Sequence, residues 1–110
     1  MSSMTIRGDV YAVNLRRRGA GRVKHGRRCA VVVQANDLMP FSTVVVCPTS
    51  KSAQAASFHP EVEPNGERTK VLCEMVRPFD IRAFGDRICH LSFDEIAAVD
   101  DALQLVLDLK

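Results

Sequence analysis

Gly8-Asp-Val-Tyr-Ala-Val-Asn-Leu15 is the first apolar stretch of the chain, too short for a helix and rich in β-branched and aromatic residues, so it predicts a strand. Residues 16–28 then carry three glycines and seven basic side chains with almost no apolar content, the composition of an exposed loop. Cys29-Ala-Val-Val-Val-Gln-Ala35 predicts a buried strand, and Asn36 to Phe41 supplies turn chemistry before a third strand begins at Ser42-Thr-Val-Val-Val-Cys47. Pro48 has no amide hydrogen to give a ladder, so pairing is expected to stop there and Thr49, Ser50 and Lys51 to turn out into a loop. Phe58 to Glu63 is a short strand candidate, Pro64-Asn-Gly-Glu67 a turn, and Thr69 to Val76 a further strand; the period of so short a strand lets Met75, like Gln34, face core or groove, and Met75 is assigned to the core. Phe79 to Phe84 fits neither period, and Arg87 to Leu91 predicts a last short strand. Ser92-Phe-Asp-Glu95 is a capping box, followed by a helix whose Ile96, Val99, Leu103 and Val106 recur at three- and four-residue steps.

Five or more short strands followed by one amphipathic helix give a mainly β chain of the α+β class. The economical arrangement is a small, bent antiparallel sheet or partial barrel closed by the helix. With 110 residues, 46% of them hydrophobic, the chain makes one domain over residues 1–110 and can bury a core without disulfides or a structural metal. Cys29, Cys47, Cys73 and Cys89 lack the paired C-x-x-C spacing of zinc sites, so they are expected to be reduced thiols in apolar surroundings, with no metal and no cofactor. No apolar run approaches the roughly 20 residues of a membrane span or the length of a signal peptide, which points to a cytoplasmic protein with no membrane partner.

Charge changes the picture more than composition does. The formal net charge of +2 hides an asymmetry: residues 1–28 carry eight basic side chains against one acid, a net of +7, and the remaining 82 carry seven against twelve, a net of −5. A basic segment of this kind points to a polyanionic partner at one end of the chain.

Three stretches resemble the MazF/PemK family, the toxin halves of bacterial toxin–antitoxin pairs. Arg7-Gly-Asp-Val-Tyr-Ala-Val-Asn-Leu15 is similar to the family's opening strand. Gly26-Arg-Arg-Cys-Ala-Val-Val-Val-Gln34 is similar to its G-x-R-P-hydrophobic run, and Val44-Val-Val-Cys-Pro-Thr-Ser50 to its hydrophobic strand ending in Thr. The tail from Arg77 to Leu109, with Asp86-Arg-Ile-x-x-Leu91 before the helix, also resembles the family. The resemblance implies a small SH3-like barrel of the MazF/PemK/CcdB type that forms a homodimer. The implied activity is sequence-specific, metal-independent cleavage of single-stranded RNA. A cognate antitoxin with an acidic, flexible tail would be its partner. Arg28 and Thr49 fall on the family's catalytic Arg and Thr. Cys29 stands where the family usually has Pro, and the loop Gly19-Ala-Gly-Arg-Val-Lys-His-Gly26 is more basic than the family's and lacks its acid, so the cut site does not carry over.

The residue types suit that chemistry. Cleavage by the neighbouring 2′-hydroxyl requires stabilisation of phosphorane charge, and a guanidinium presents forked donors to phosphate oxygens while being too basic to accept a proton. Thr49 can position or donate to the phosphate. His25 and His59 are the loop-placed groups that titrate near neutrality, and His25, inside the basic loop, is the candidate for proton transfer. Arg16, Arg17, Arg18, Arg22, Lys24 and Arg27 flank Arg28 and, with Ser50, Lys51 and His59, are expected to line an RNA groove by phosphate contact. His90 reads as structural. Aromatic residues are few, so base stacking is sparse; Phe41 and Phe58 can contribute, whereas Tyr11 belongs to the core. A CcdB-like gyrase-poisoning toxin of the same fold is the alternative; it would not need Arg28 beside Thr49.

Overall fold

The computed structural model describes residues 5–13, 28–39 and 42–109. Its strands are β1 (Asp9–Val13), β2 (Arg28–Val32), β3 (Thr43–Ser50), β4 (Glu61–Val62), β5 (Thr69–Val71), β6 (Arg77–Asp80) and β7 (Phe84–His90), followed by helix α1 (Phe93–Leu107). They form one sheet in the order β4-β5-β3-β2-β1-β7, with β6 also pairing with β3, and every pairing is antiparallel. The result is the curled half-barrel with a C-terminal helix that the element order predicts.

Both faces of the sheet are apolar, and each builds its own core. On one face Val10, Val31, Cys47, Val62, Val71, Cys73 and Leu91 are buried beneath α1, which contributes Val99, Ala102 and Leu103. Fully burying each of the larger aliphatic side chains is worth about 1.5–3 kcal/mol. The other face holds Tyr11, Val13, Ala30, Val32, Val44 and Val46. Here Tyr11 stacks on Phe84 at 4.5 Å and Phe84 on Phe79 at 5.5 Å, so Tyr11 is a core residue as expected. Cys47 and Cys73 meet in the first core, where the hydrogen bond between them and burial push the Cys47 thiol well above its ordinary range.

The capping box at Ser92 forms as the sequence predicts. Ser92 Oγ accepts from the Glu95 amide at 3.1 Å and Glu95 Oε1 accepts from the Ser92 amide at 2.9 Å. Glu95 Oε2 also accepts from the Glu63 amide at 2.8 Å, so one carboxylate starts the helix and ties it to the β4 turn. Gly8 sits at φ +96, and a Cβ there would lie 2.6 Å from Ile96 Cδ1; only glycine lets the helix close on the start of β1. Asp9, the first residue of β1, is fully buried. Its carboxylate accepts from the Ile6 amide at 3.0 Å, from Arg87 Nε at 3.1 Å and from His90 Nδ1 at 3.0 Å, which makes His90 the structural residue it was expected to be.

Three expectations are corrected. Pro48 does not end the third strand: β3 runs on to Ser50, with Ala30 opposite Pro48. The missing amide hydrogen is tolerated because Pro48 lies where β3 changes partner, from β6 over Thr43–Val46 to β5 over Thr49–Ser50, and its carbonyl still accepts from the Leu72 amide at 2.8 Å. For the same reason the strand expected over Thr69 to Val76 breaks: β5 stops at Val71, a 3-10 turn occupies Cys73–Met75, and β6 resumes at Arg77. The turn lifts Met75 out of the core and leaves it half exposed. Among the described residues no helix is long and apolar enough to cross a membrane.

Candidate active site

Arg28 opens β2, exposed, directly opposite Val13 at the end of β1. These two positions bracket the basic segment, of which Arg16, Arg17, Arg18, Arg22, Lys24, His25 and Arg27 lie outside the described residues. Arg28 differs from the other described arginines. Arg7 pairs with Asp100 at 2.7 Å, Arg68 with Glu63 at 3.1 Å, Arg82 with Asp80 at 2.8 Å and Arg87 with Asp9 at 3.1 Å. Arg77 lies 5.9 Å over the Phe79 ring. The Arg28 guanidinium meets no acceptor among the described residues, and the residue is exposed.

Thr49 corrects the expectation of an exposed loop residue. It is 4% exposed, because β3 carries it past Pro48 with its side chain over the Val71 side of the sheet. Its Oγ1 donates to the Cys29 carbonyl at 3.2 Å, one peptide along from Arg28. The two residues are therefore brought to the same end of β2 and β3, but the threonine proton is already engaged. Ser50 is the hydroxyl that alternation puts on the Arg28 face of the sheet, half-buried, 3.4 Å from Ser52 Oγ. Lys51 is exposed and pairs with Glu67 at 3.1 Å.

His59 is held from both sides. Nδ1 lies 2.7 Å from the Gln54 carbonyl and Nε2 2.9 Å from Glu74 Oε2, and its side chain is only 10% exposed. Both partners accept, an arrangement that favours the doubly protonated ring; the Gln54 carbonyl first, then the Glu74 carboxylate, raise its pKa above the ordinary 6.5. Desolvation pushes the Glu74 carboxyl up, but its hydrogen bonds to the His59 ring and to its own amide outweigh that and leave it below the ordinary 4.5. A ring engaged in this way has no nitrogen left to take a proton from a nucleophile. What it does is clasp the 51–60 connection to the 3-10 turn at Cys73–Met75.

Lys70 is the residue that sequence reading missed. It stands opposite Ser50 on one side and Glu61 on the other, and its Nζ lies 3.8 Å from Glu61 Oε2. A lysine between two buried β-branched neighbours signals only an outward-facing strand position; the β3–β5 register is what places it beside Ser50.

A family model for the PemK-like, MazF-like toxin of type II toxin–antitoxin systems matches residues 6–107, nearly the whole chain and all of the strands and the helix described above. The chain belongs to this family. A Mycobacterium tuberculosis protein named as a toxin is 41% identical over 107 residues, covering 96% of this chain and all of that protein. The endoribonuclease EndoA of Bacillus subtilis is 32% identical over 110 residues, covering 94% of each. Among solved structures, an endoribonuclease in complex with its cognate antitoxin from a mycobacterial species superposes with a TM-score of 0.78 at 17% identity, over 96% of this chain and 97% of that one. A MazE–MazF complex from Deinococcus radiodurans gives 0.73 at 19% identity, over 99% and 100%. These two place the fold among the MazF toxins.

Proposed function

We propose that this toxin is a metal-independent endoribonuclease that cleaves single-stranded RNA at short sequence motifs and so blocks translation and growth. The observation that carries the reading is Arg28: an exposed guanidinium without an acceptor among the described residues, next in sequence to Cys29, whose carbonyl the Thr49 hydroxyl bonds, where the five other described arginines are spent on structure. The RNA's own 2′-hydroxyl attacks the adjacent phosphorus, the 5′-oxygen leaves, and the products carry a 2′,3′-cyclic phosphate and a 5′-hydroxyl. Arg28 donates to the non-bridging oxygens as negative charge builds on them, a contribution on the order of 3 kcal/mol for a preorganised donor. Thr49 donates or positions at the same phosphate once rotation about χ1 releases its hydroxyl from the Cys29 carbonyl. His59 is committed to Gln54 and Glu74, which leaves His25 as the histidine for proton transfer.

Arg16, Arg17, Arg18, Arg22, Lys24 and Arg27 hold the RNA backbone together with Ser50 and Lys51; His59 acts there by anchoring the connection that follows Lys51. A homodimer sets two such basic segments beside a shared groove. A cognate antitoxin blocks it with an acidic flexible tail that folds as it binds, neutralising the +7 segment. The protein works in the cytoplasm, where RNA and antitoxin both are.

The test is a long single-stranded RNA incubated with the protein in EDTA, with both new ends mapped. Discrete cuts with 2′,3′-cyclic phosphate and 5′-hydroxyl ends, lost in Arg28→Ala, are expected. RNA left whole, with DNA gyrase stalled instead, would refute the nuclease and place the protein with the CcdB-like toxins.

A further inference from the structure

Three strand pairings put a row of polar side chains across one face of the sheet. The β2–β3 ladder ends at Ala30 opposite Pro48, and alternation beyond it brings Arg28 and Ser50 to the same face at the same end of the two strands; Ser50 is opposite Lys70, and Lys70 opposite Glu61. Directly opposite residues of an antiparallel pair point to the same face with Cβ atoms about 4.5–5.5 Å apart. Arg28 and Lys70 are thus two strands apart, about 10 Å, with the Ser50 hydroxyl between them. The Lys70 side chain is 17% exposed, so its stem is packed and its ammonium is the part that reaches solvent. Its partner does not use it up. The 3.8 Å to Glu61 Oε2 is longer than a hydrogen bond, and Glu61 is more than half exposed, so the carboxylate is a loose counter-ion that a phosphate can displace.

We propose that Lys70 is a second cation of the RNA site, contacting the phosphate next to the one held by Arg28, and that Glu61 competes with RNA for it. The inference rests on the endoribonuclease reading above. A purely structural Lys70–Glu61 pair would make loss of either partner act in the same direction. Competition makes the two substitutions act in opposite directions, and that sign is what the test reads.

Steady-state cleavage of a labelled single-stranded RNA is measured at several salt concentrations for the wild type, Lys70→Gln, Lys70→Arg, Glu61→Gln and Arg28→Ala, each first checked for folding by thermal melting. Lys70→Gln is expected to raise KM roughly ten-fold, the worth of one charged hydrogen bond, with kcat changed far less. The slope of log(kcat/KM) against log salt becomes shallower by about 0.7, one phosphate contact fewer. Lys70→Arg restores most of the loss, and Glu61→Gln lowers KM. Wild-type KM and salt slope in Lys70→Gln, while Arg28→Ala is dead, would overturn this inference and leave the nuclease standing. So would a KM raised by both Lys70→Gln and Glu61→Gln. RNA left whole by the wild type overturns both readings together.

Discussion

Thr49→Val separates a catalytic hydroxyl from a structural one. Valine replaces threonine with almost the same volume, so at a position 4% exposed the packing opposite Val71 survives and only the bond to the Cys29 carbonyl is lost. One neutral hydrogen bond is worth about 1 kcal/mol. Unfolding entropy of about 2.1 cal/mol/K per residue, over 110 residues, turns that into a melting point about 4 °C lower. The catalytic cost is larger, since removing a donor aimed at developing charge costs on the order of 3 kcal/mol, or roughly 100-fold in rate. The hydroxyl has a single proton, and here it is donated to Cys29, so a phosphate draws on it only by rotation about χ1. Single-turnover cleavage of a labelled RNA, well below the melting point, should therefore fall roughly 100-fold in Thr49→Val, with Thr49→Ser close to wild type. Cleavage within about five-fold of wild type, alongside the expected fall in melting point, would show that Thr49 is a strut between β2 and β3 and refute its catalytic role.

Two further outcomes test the scaffold around the site. Asp9→Ala removes a buried carboxylate serving three donors, at a cost of about 3 kcal/mol, which lowers the melting point by about 13 °C in a calorimetric scan. Cleavage per folded molecule should be unchanged, because Asp9 and the Arg28 partner Val13 are at opposite ends of β1; a melting point within about 4 °C of wild type would refute it. The His59–Glu74 clasp has a defined pH window. A raised His59 pKa gives stability that is complete below the ordinary 6.5 and is lost as pH climbs through the raised value, and a lowered Glu74 pKa gives stability present above 4.5 and lost as pH falls through the lowered one. The melting-point advantage of wild type over Glu74→Gln should peak between about pH 5 and 6.5 and shrink on either side; a constant difference across the whole range would refute the ion pair.

Much of this protein is local and could be read without coordinates. The capping box at Ser92, the helical spacing of Ile96, Val99, Leu103 and Val106, the turn at Pro64 to Gly66 and the β-branched runs of β1, β2 and β3 depend on residues a few positions apart, and each is present, although β2 stops short at Val32 and β3 runs past Cys47 to Ser50. The charge asymmetry and the arginine opening β2 are likewise sequence properties, and they single out one end of the chain. Tertiary structure decided what depends on partners distant in sequence. Pro48 stays in its strand because β3 changes neighbours there, and that change buries Thr49, breaks the Thr69–Val76 segment and exposes Met75. His59 became a clasp because Gln54 and Glu74, five and fifteen residues away, take both its nitrogens. Lys70 joined Arg28 and Ser50 only through register, and since a slip of one residue would turn every side chain to the other face, no pattern within a single strand can reveal that row.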